Sequence, residues 1–168
     1  GIGHNAFKNN NAYGKYLFYS ATANLYHVQG DYVKAETLYR KAIETANSDL
    51  RTIDLSENYL NMARCLDKLT RRSEGVELLE KGLKNVKTTN GKALIYIQLC
   101  KMLYWEKRYG DYISYYHKAK QYFGKEISTD MAAYMTAIKE IIEGNADKAE
   151  KTAMGINNPD DRNAVLRE

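Results

Sequence analysis

Nine side chains in this sequence have the chemistry to hold another molecule: Asn24, His27, Asn61, Arg64, Lys68, Gln98, Lys101, Tyr104 and Trp105. Amides and cations donate hydrogen bonds, and those from a cation to a carboxylate are the stronger kind. Asn24, Asn61, Arg64, Gln98 and Lys101 fall at corresponding depths on successive helical patterns, a row of donors able to hold an extended peptide or its carboxylates. Tyr104 and Trp105 follow the last of these cations and would close the row as an aromatic wall, and Trp and Tyr are the residue types that most often carry interface energy.

Catalysis has much less to work with. His4, His27 and His117 lie in unrelated parts of the chain, and none is spaced from a Cys, Ser or carboxylate as a nucleophile and its base would be. No Gly-rich phosphate loop, metal-ligand cluster or nucleophile motif occurs. Glu57 and Asp67 would lie about three turns apart on one helix, a spacing that acids also reach by chance. Cys65 and Cys100 have no second Cys or His at metal-ligand spacing, so they are expected as small buried apolar residues. The expectation is a binding protein with no cofactor, not an enzyme.

The elements that must position these groups are helices. Hydrophobic residues make up 44% of the 168 and charged residues 27%, which places the chain with folded proteins and not with disordered ones. There is one Pro, and the 11 Gly gather near the joints between helical patterns, as in an all-α chain with short connections. Fifteen Tyr stand against three Phe and one Trp, so most large aromatic positions carry a hydroxyl that needs water or a partner. Such residues suit half-buried seams and groove walls. The net charge of +4 is spread without a block of five or six like charges, which argues against a nucleic-acid partner. No apolar run approaches the roughly 18 residues that span a bilayer. The amino terminus lacks a signal segment, but a removed one leaves no trace. A cytoplasmic location and a secreted or periplasmic one therefore both fit, and oligomeric state is not indicated.

Residues 1–11 show no helical periodicity and are expected to be a loose lead-in. From Ala12 a helix is predicted, with Tyr16, Tyr19, Ala23 and Tyr26 on one face. Gly30 ends it, Asp31 caps the next helix, and that helix buries Tyr32, Ala35, Leu38, Tyr39, Ala42 and Ile43. The pattern returns 40 residues later with Tyr59, Met62, Ala63 and Leu66, then Gly75, Leu79 and Gly82. The third copy lies 37 further on, where Tyr112 takes a slot that was Ala or Gly, so this hairpin must pack differently there. The fourth covers Thr129 to about Gly155, with Ala153 where a large anchor stood in the others. Asn158-Pro159-Asp160-Asp161 then starts a helix expected to be a terminal cap or the beginning of a longer chain, the second being favoured.

At these residues the sequence resembles the tetratricopeptide repeat family. The likeness is carried by Tyr19, Ala23, Tyr26, Gly30, Tyr32, Ala35, Tyr39 and Ala42, and by their counterparts in later copies. It implies an all-α, right-handed α-solenoid of antiparallel helical hairpins over residues 12–157, with repeats at about 16–49, 56–89, 93–126 and 130–157, and a terminal or truncated helix at 158–168. The chain departs from the family in lacking the Pro that usually ends a repeat and in intervals longer than the usual ~34 residues. Six additional residues in the first interval are expected at Ser48 to Ile53, lengthening the helix before Tyr59.

In the family the first helices line a concave groove. The resemblance therefore implies that the nine residues above face a protein or peptide partner, one that is acidic or ends in a free carboxylate. Asn24 and Asn61 match two Asn positions of members that grip acidic tails, but Ser20, Leu94 and Gln98 stand where bases would be, so that complete clamp is absent. A ligand-sensing regulatory domain of a longer signalling or transcription-regulatory protein is the alternative expectation.

Overall fold

The structure, a computed structural model, describes residues 2–50 and 52–167, with side chains from Asn11 onward; Gly1, Arg51 and Glu168 lie outside the described residues. Nine α-helices are found among them: α1 (Ile2–Val28), α2 (Tyr32–Asp49), α3 (Ser56–Lys68), α4 (Arg72–Asn85), α5 (Thr89–Trp105), α6 (Tyr109–Ala119), α7 (Thr129–Ile142), α8 (Ala146–Met154) and α9 (Pro159–Leu166). Two compact units are distinguished, Gly1–Ile95 and Tyr96–Glu168, and α5 runs through the division. No helix among the described residues is long and apolar enough to cross a membrane.

The turn between paired helices recurs with one geometry. Gly30, Thr70, Lys107 and Gly144 all have positive φ, and they stand 40, 37 and 37 residues apart, the period read from the side chains. After each, the next amide reaches back to the preceding helix: Asp31 to the Tyr26 carbonyl at 2.9 Å, Arg71 to Leu66 at 2.8 Å, Arg108 to Leu103 at 2.9 Å and Asn145 to Glu140 at 2.8 Å. This closure satisfies carbonyls that a helix end would otherwise leave unpaired. The hairpin therefore repeats four times, although only two copies use the Gly that the turn favours.

In the first unit α1 packs on α2, α2 on α3 and α3 on α4. Asp31 caps α2 by accepting from the Lys34 amide at 3.2 Å. Ala35 and Ala42 are fully buried on α2, and Tyr39 and Tyr59 are buried as well. Gly82 leaves room for Tyr59, because a Cβ there would meet the ring at 3.0 Å. Asn58, 5% exposed, is satisfied from two sides: it accepts from Tyr16 Oη at 2.9 Å and donates to Ser20 Oγ at 3.0 Å. Glu36, 8% exposed, accepts from Arg40 and Arg71 at 2.9 Å each, which ties α2 to the turn before α4.

Two expectations need correction in this unit. The lead-in is helical, since α1 begins at Ile2; residues 2–11 contain no Pro, and extending an existing helix is far easier than nucleating one. The additional residues near Ser48 do not lengthen the helix before Tyr59. They carry α2 on to Asp49 and form the connection that follows, and α3 starts at Ser56.

In the second unit the later part of α5 leads into α6, a 3-10 turn at Lys120–Tyr122 follows, and α7 packs on α6, α8 and α9. Tyr112, expected to force different packing, is 2% exposed and sends its hydroxyl to the Met135 carbonyl of α7. The missing anchor at Ala153 is made good from outside the hairpin: Ile156 and Val165 join Ala137, Ala149 and Ala153 in one buried cluster. Asp130 holds the approach to α9 by accepting from the Asn157 and Asn158 amides at 3.1 Å each, and Asn158 caps the helix.

Candidate functional site

The donors of the first unit gather around the tip of Tyr39. That residue is 1% exposed, and its hydroxyl donates to Asn24 Oδ1, which joins α2 to α1. Burial pushes the Tyr39 hydroxyl up to about 12, so it stays a donor at any physiological pH. On α3, Asn61 Oδ1 accepts from Arg64 Nη1 at 3.1 Å. The Asn61 side chain also bonds to the Tyr39 hydroxyl, so both carboxamides are held at one phenol.

His27 belongs to the same cluster. Its ring meets Tyr32 and Tyr39 edge-on at 5.6 and 6.2 Å, and its Nδ1 lies 3.4 Å from Cys65 Sγ. Burial, then Arg64, then Lys68 pull His27 below its usual range. Two helices, α1 and α3, thus bring together Asn24, His27, Asn61, Arg64 and Lys68 around Tyr39 of α2, and none of these five is an acid.

The Cys65–His27 contact was not legible in the chain, where the two residues are 38 positions apart. It is not a nucleophile and its base. Burial, with Glu36 adding, pushes the Cys65 thiol up to about 11, whereas a reactive cysteine needs its thiolate favoured. A neutral imidazole accepting from a neutral thiol is the arrangement these shifts support. Cys100 is buried too, and both cysteines are free.

No protein-family model matches the chain. No curated protein matches it either. What the site can do must therefore be read from its own groups.

In the second unit, Lys101, Tyr104 and Trp105 of α5 line a cleft with Tyr112 of α6 and with Met131, Tyr134 and Ile138 of α7. Tyr104 packs against Tyr109 and Tyr112 with ring centroids 5.8 and 6.3 Å apart, while Trp105 stays 45% exposed at the rim. Gln98, expected among the surface donors, is 8% exposed and does not line this cleft. The free space inside is about 10 Å³, enough for one water. A metabolite of ordinary size needs a pocket of roughly 300 Å³ or more. A wider trough lies between α7, α8 and α9, but it is open and Glu150 is the one charged group in its lining. Among the described residues, no group of three or more His, Cys, Asp or Glu could hold a metal ion.

Proposed function

We propose that this chain is a non-catalytic, tetratricopeptide-like module that binds a protein or peptide partner through carboxylates, using Asn24, His27, Asn61, Arg64 and Lys68. The observation that carries the reading is the way Asn24 and Asn61 are held. Each spends its acceptor on a neighbour, Tyr39 or Arg64, and the two amides stand beside two cations and a histidine. Amides and cations held together in this way suit an anion and disfavour a cation. The aromatic cleft by Trp105 suits an apolar side chain of a partner, because its rim is exposed and its interior has no room for a separate ligand.

The test is binding of a fluorescent hexaglutamate peptide to the 168-residue chain, with a hexalysine peptide as control. The glutamate peptide is expected to bind and the lysine peptide not. Arg64→Glu combined with Lys68→Glu is expected to weaken binding at least tenfold while the helical circular dichroism stays as it is. Equal binding by the variant would move the function off this surface.

A further inference from the structure

Matched faces of α1 and α3 carry different chemistry. Gly30 and Thr70 hold the same turn position 40 residues apart, so Leu17, Ala21, Asn24 and Val28 of α1 correspond to Glu57, Asn61, Arg64 and Lys68 of α3. Each set recurs at intervals of four, three and four residues, which keeps it on one side of its helix. The two helices touch through other residues: Asn58 bonds to Tyr16 and Ser20, and Cys65 Sγ lies 3.4 Å from His27 Nδ1. These contacts advance together along both helices, so α1 and α3 run parallel. Leu17, Ala21 and Val28 follow Tyr16, Ser20 and His27 by one position, whereas Glu57 and Arg64 precede Asn58 and Cys65 by one. Opposite steps of about 100° on parallel neighbours turn both sets to the same side of the pair.

That side has an apolar half and a charged half. On α1, Leu17 is 47% exposed and Val28 86%, and Ala21 is exposed between them. On α3, Arg64 and Lys68 stand at the end nearest the turn, and Glu57 stands at the other end, about 10 Å from Arg64 along the axis. Both cations act on His27 of α1, so they lie beside the apolar half and not apart from it. Charge selects what can cover such a surface. A wholly acidic segment would leave Leu17 and Val28 in water, and a wholly apolar one would bury Arg64 and Lys68 without a counter-charge, which is strongly unfavourable. Glu57 repels further acids at its own end.

We propose, on the footing of the carboxylate-binding role above, that the partner of the donor cluster is a peptide segment of mixed character, with acidic side chains on Arg64 and Lys68 and apolar side chains on Leu17, Ala21 and Val28. Burial of a leucine-sized side chain against α1 adds affinity without adding charge. The cations at one end and Glu57 at the other set which end of the segment carries its acids.

Titration of labelled peptides into the 168-residue chain, followed by fluorescence anisotropy, tests the proposal. The probes are hexaglutamate and three hexapeptides in which Glu alternates with Leu, Glu with Ser, and Lys with Leu. The Glu-Leu peptide is expected to bind about tenfold tighter than the Glu-Ser peptide of equal charge, and the Lys-Leu peptide is expected not to bind. Leu17→Ser combined with Val28→Ser, both at exposed positions, is expected to erase that preference while hexaglutamate binding and circular dichroism stay as they are. Equal affinity for the Glu-Leu and Glu-Ser peptides, with hexaglutamate bound, overturns the mixed partner and leaves the donor cluster standing. A preference for Leu that survives the double substitution overturns it too, because the apolar contact then lies elsewhere, and so does binding of the Lys-Leu peptide. Failure of every acidic peptide to bind overturns both this partner and the donor cluster.

Discussion

The Tyr112 hydroxyl donates to the main-chain carbonyl of Met135 at 2.7 Å, a buried bond that ties α6 to α7. Burial raises the ionisation of this phenol far above its ordinary range, so the proton stays in place across the stable pH range. Tyr112→Phe removes the bond and keeps the packing, at a cost of about 1 kcal/mol. Tyr112→Ala also leaves a cavity where the ring is 2% exposed, and is expected to cost about 3 to 5 kcal/mol. Urea unfolding followed by circular dichroism measures both. Equal losses would mean that the hydroxyl contributes nothing.

Thr70 and Lys107 hold the left-handed turn conformation, at φ 61° and 58°, that Gly30 and Gly144 hold in the other two hairpins. A side chain there costs about 1 to 2 kcal/mol, and the greater freedom of unfolded Gly gives back about 0.5 to 1. Thr70→Gly and Lys107→Gly are each expected to stabilise by about 0.5 kcal/mol. Gly30→Ala is expected to destabilise. Thermal midpoints of the three variants decide it, and a drop for Thr70→Gly would locate the stability of that turn in the Thr side chain.

Gly91 sits where the start of α5 comes close to α3. A Cβ on it would lie 2.9 Å from Ser56 Cβ and 2.7 Å from Val86 Cγ1, whereas one on Gly110 would meet nothing within 4 Å. Gly91→Ala is therefore expected to destabilise by about 1 to 3 kcal/mol through overpacking. Gly110→Ala is expected to gain about 0.4 to 1 kcal/mol by restricting the unfolded chain. Denaturation midpoints of opposite sign are the expected result.

His27 has a folded-state pKa below its usual value, first from burial and then from Arg64 and Lys68. Between the folded value and about 6.5 the unfolded chain binds more protons, so stability falls as pH drops through this window and levels off below it. His27→Gln is expected to flatten that slope. A bound carboxylate reverses the bias, since an anion favours the imidazolium. Binding of hexaglutamate is therefore expected to tighten from pH 7.5 to 6 with uptake of protons, seen as different calorimetric heats in buffers of different ionisation enthalpy. Heats independent of buffer would separate His27 from the site.

Helical class and period were legible because they depend on local spacing. Tyr39, Leu79 and Tyr116 mark the second helices of their hairpins, and Ala35, Ala42 and Gly82 stand as the small residues there, in the sequence as in the fold. The turns at Thr70 and Lys107 carry no such mark, since neither residue type favours positive φ, and only the surrounding helices impose it. Of the candidate site, Asn24, His27, Asn61, Arg64 and Lys68 are brought together in the first unit. Gln98 was misplaced because a polar side chain on a helix with apolar residues on every side gives no periodic signal of which way it faces.

By itself the sequence determined an all-α chain of four helical hairpins, because hydrophobic period and turn residues act over a few positions at a time. Which groups meet across hairpins was decided by the tertiary structure alone. Cys65 reaches His27, Arg71 reaches Glu36 and Val165 joins Ala137 and Ala153 in one cluster because packed helices bring distant positions within contact range. The orientation of the Asn24 amide belongs to that second kind, since it is fixed by Tyr39 on the next helix, whereas Asn61 is held by Arg64 one turn along its own helix.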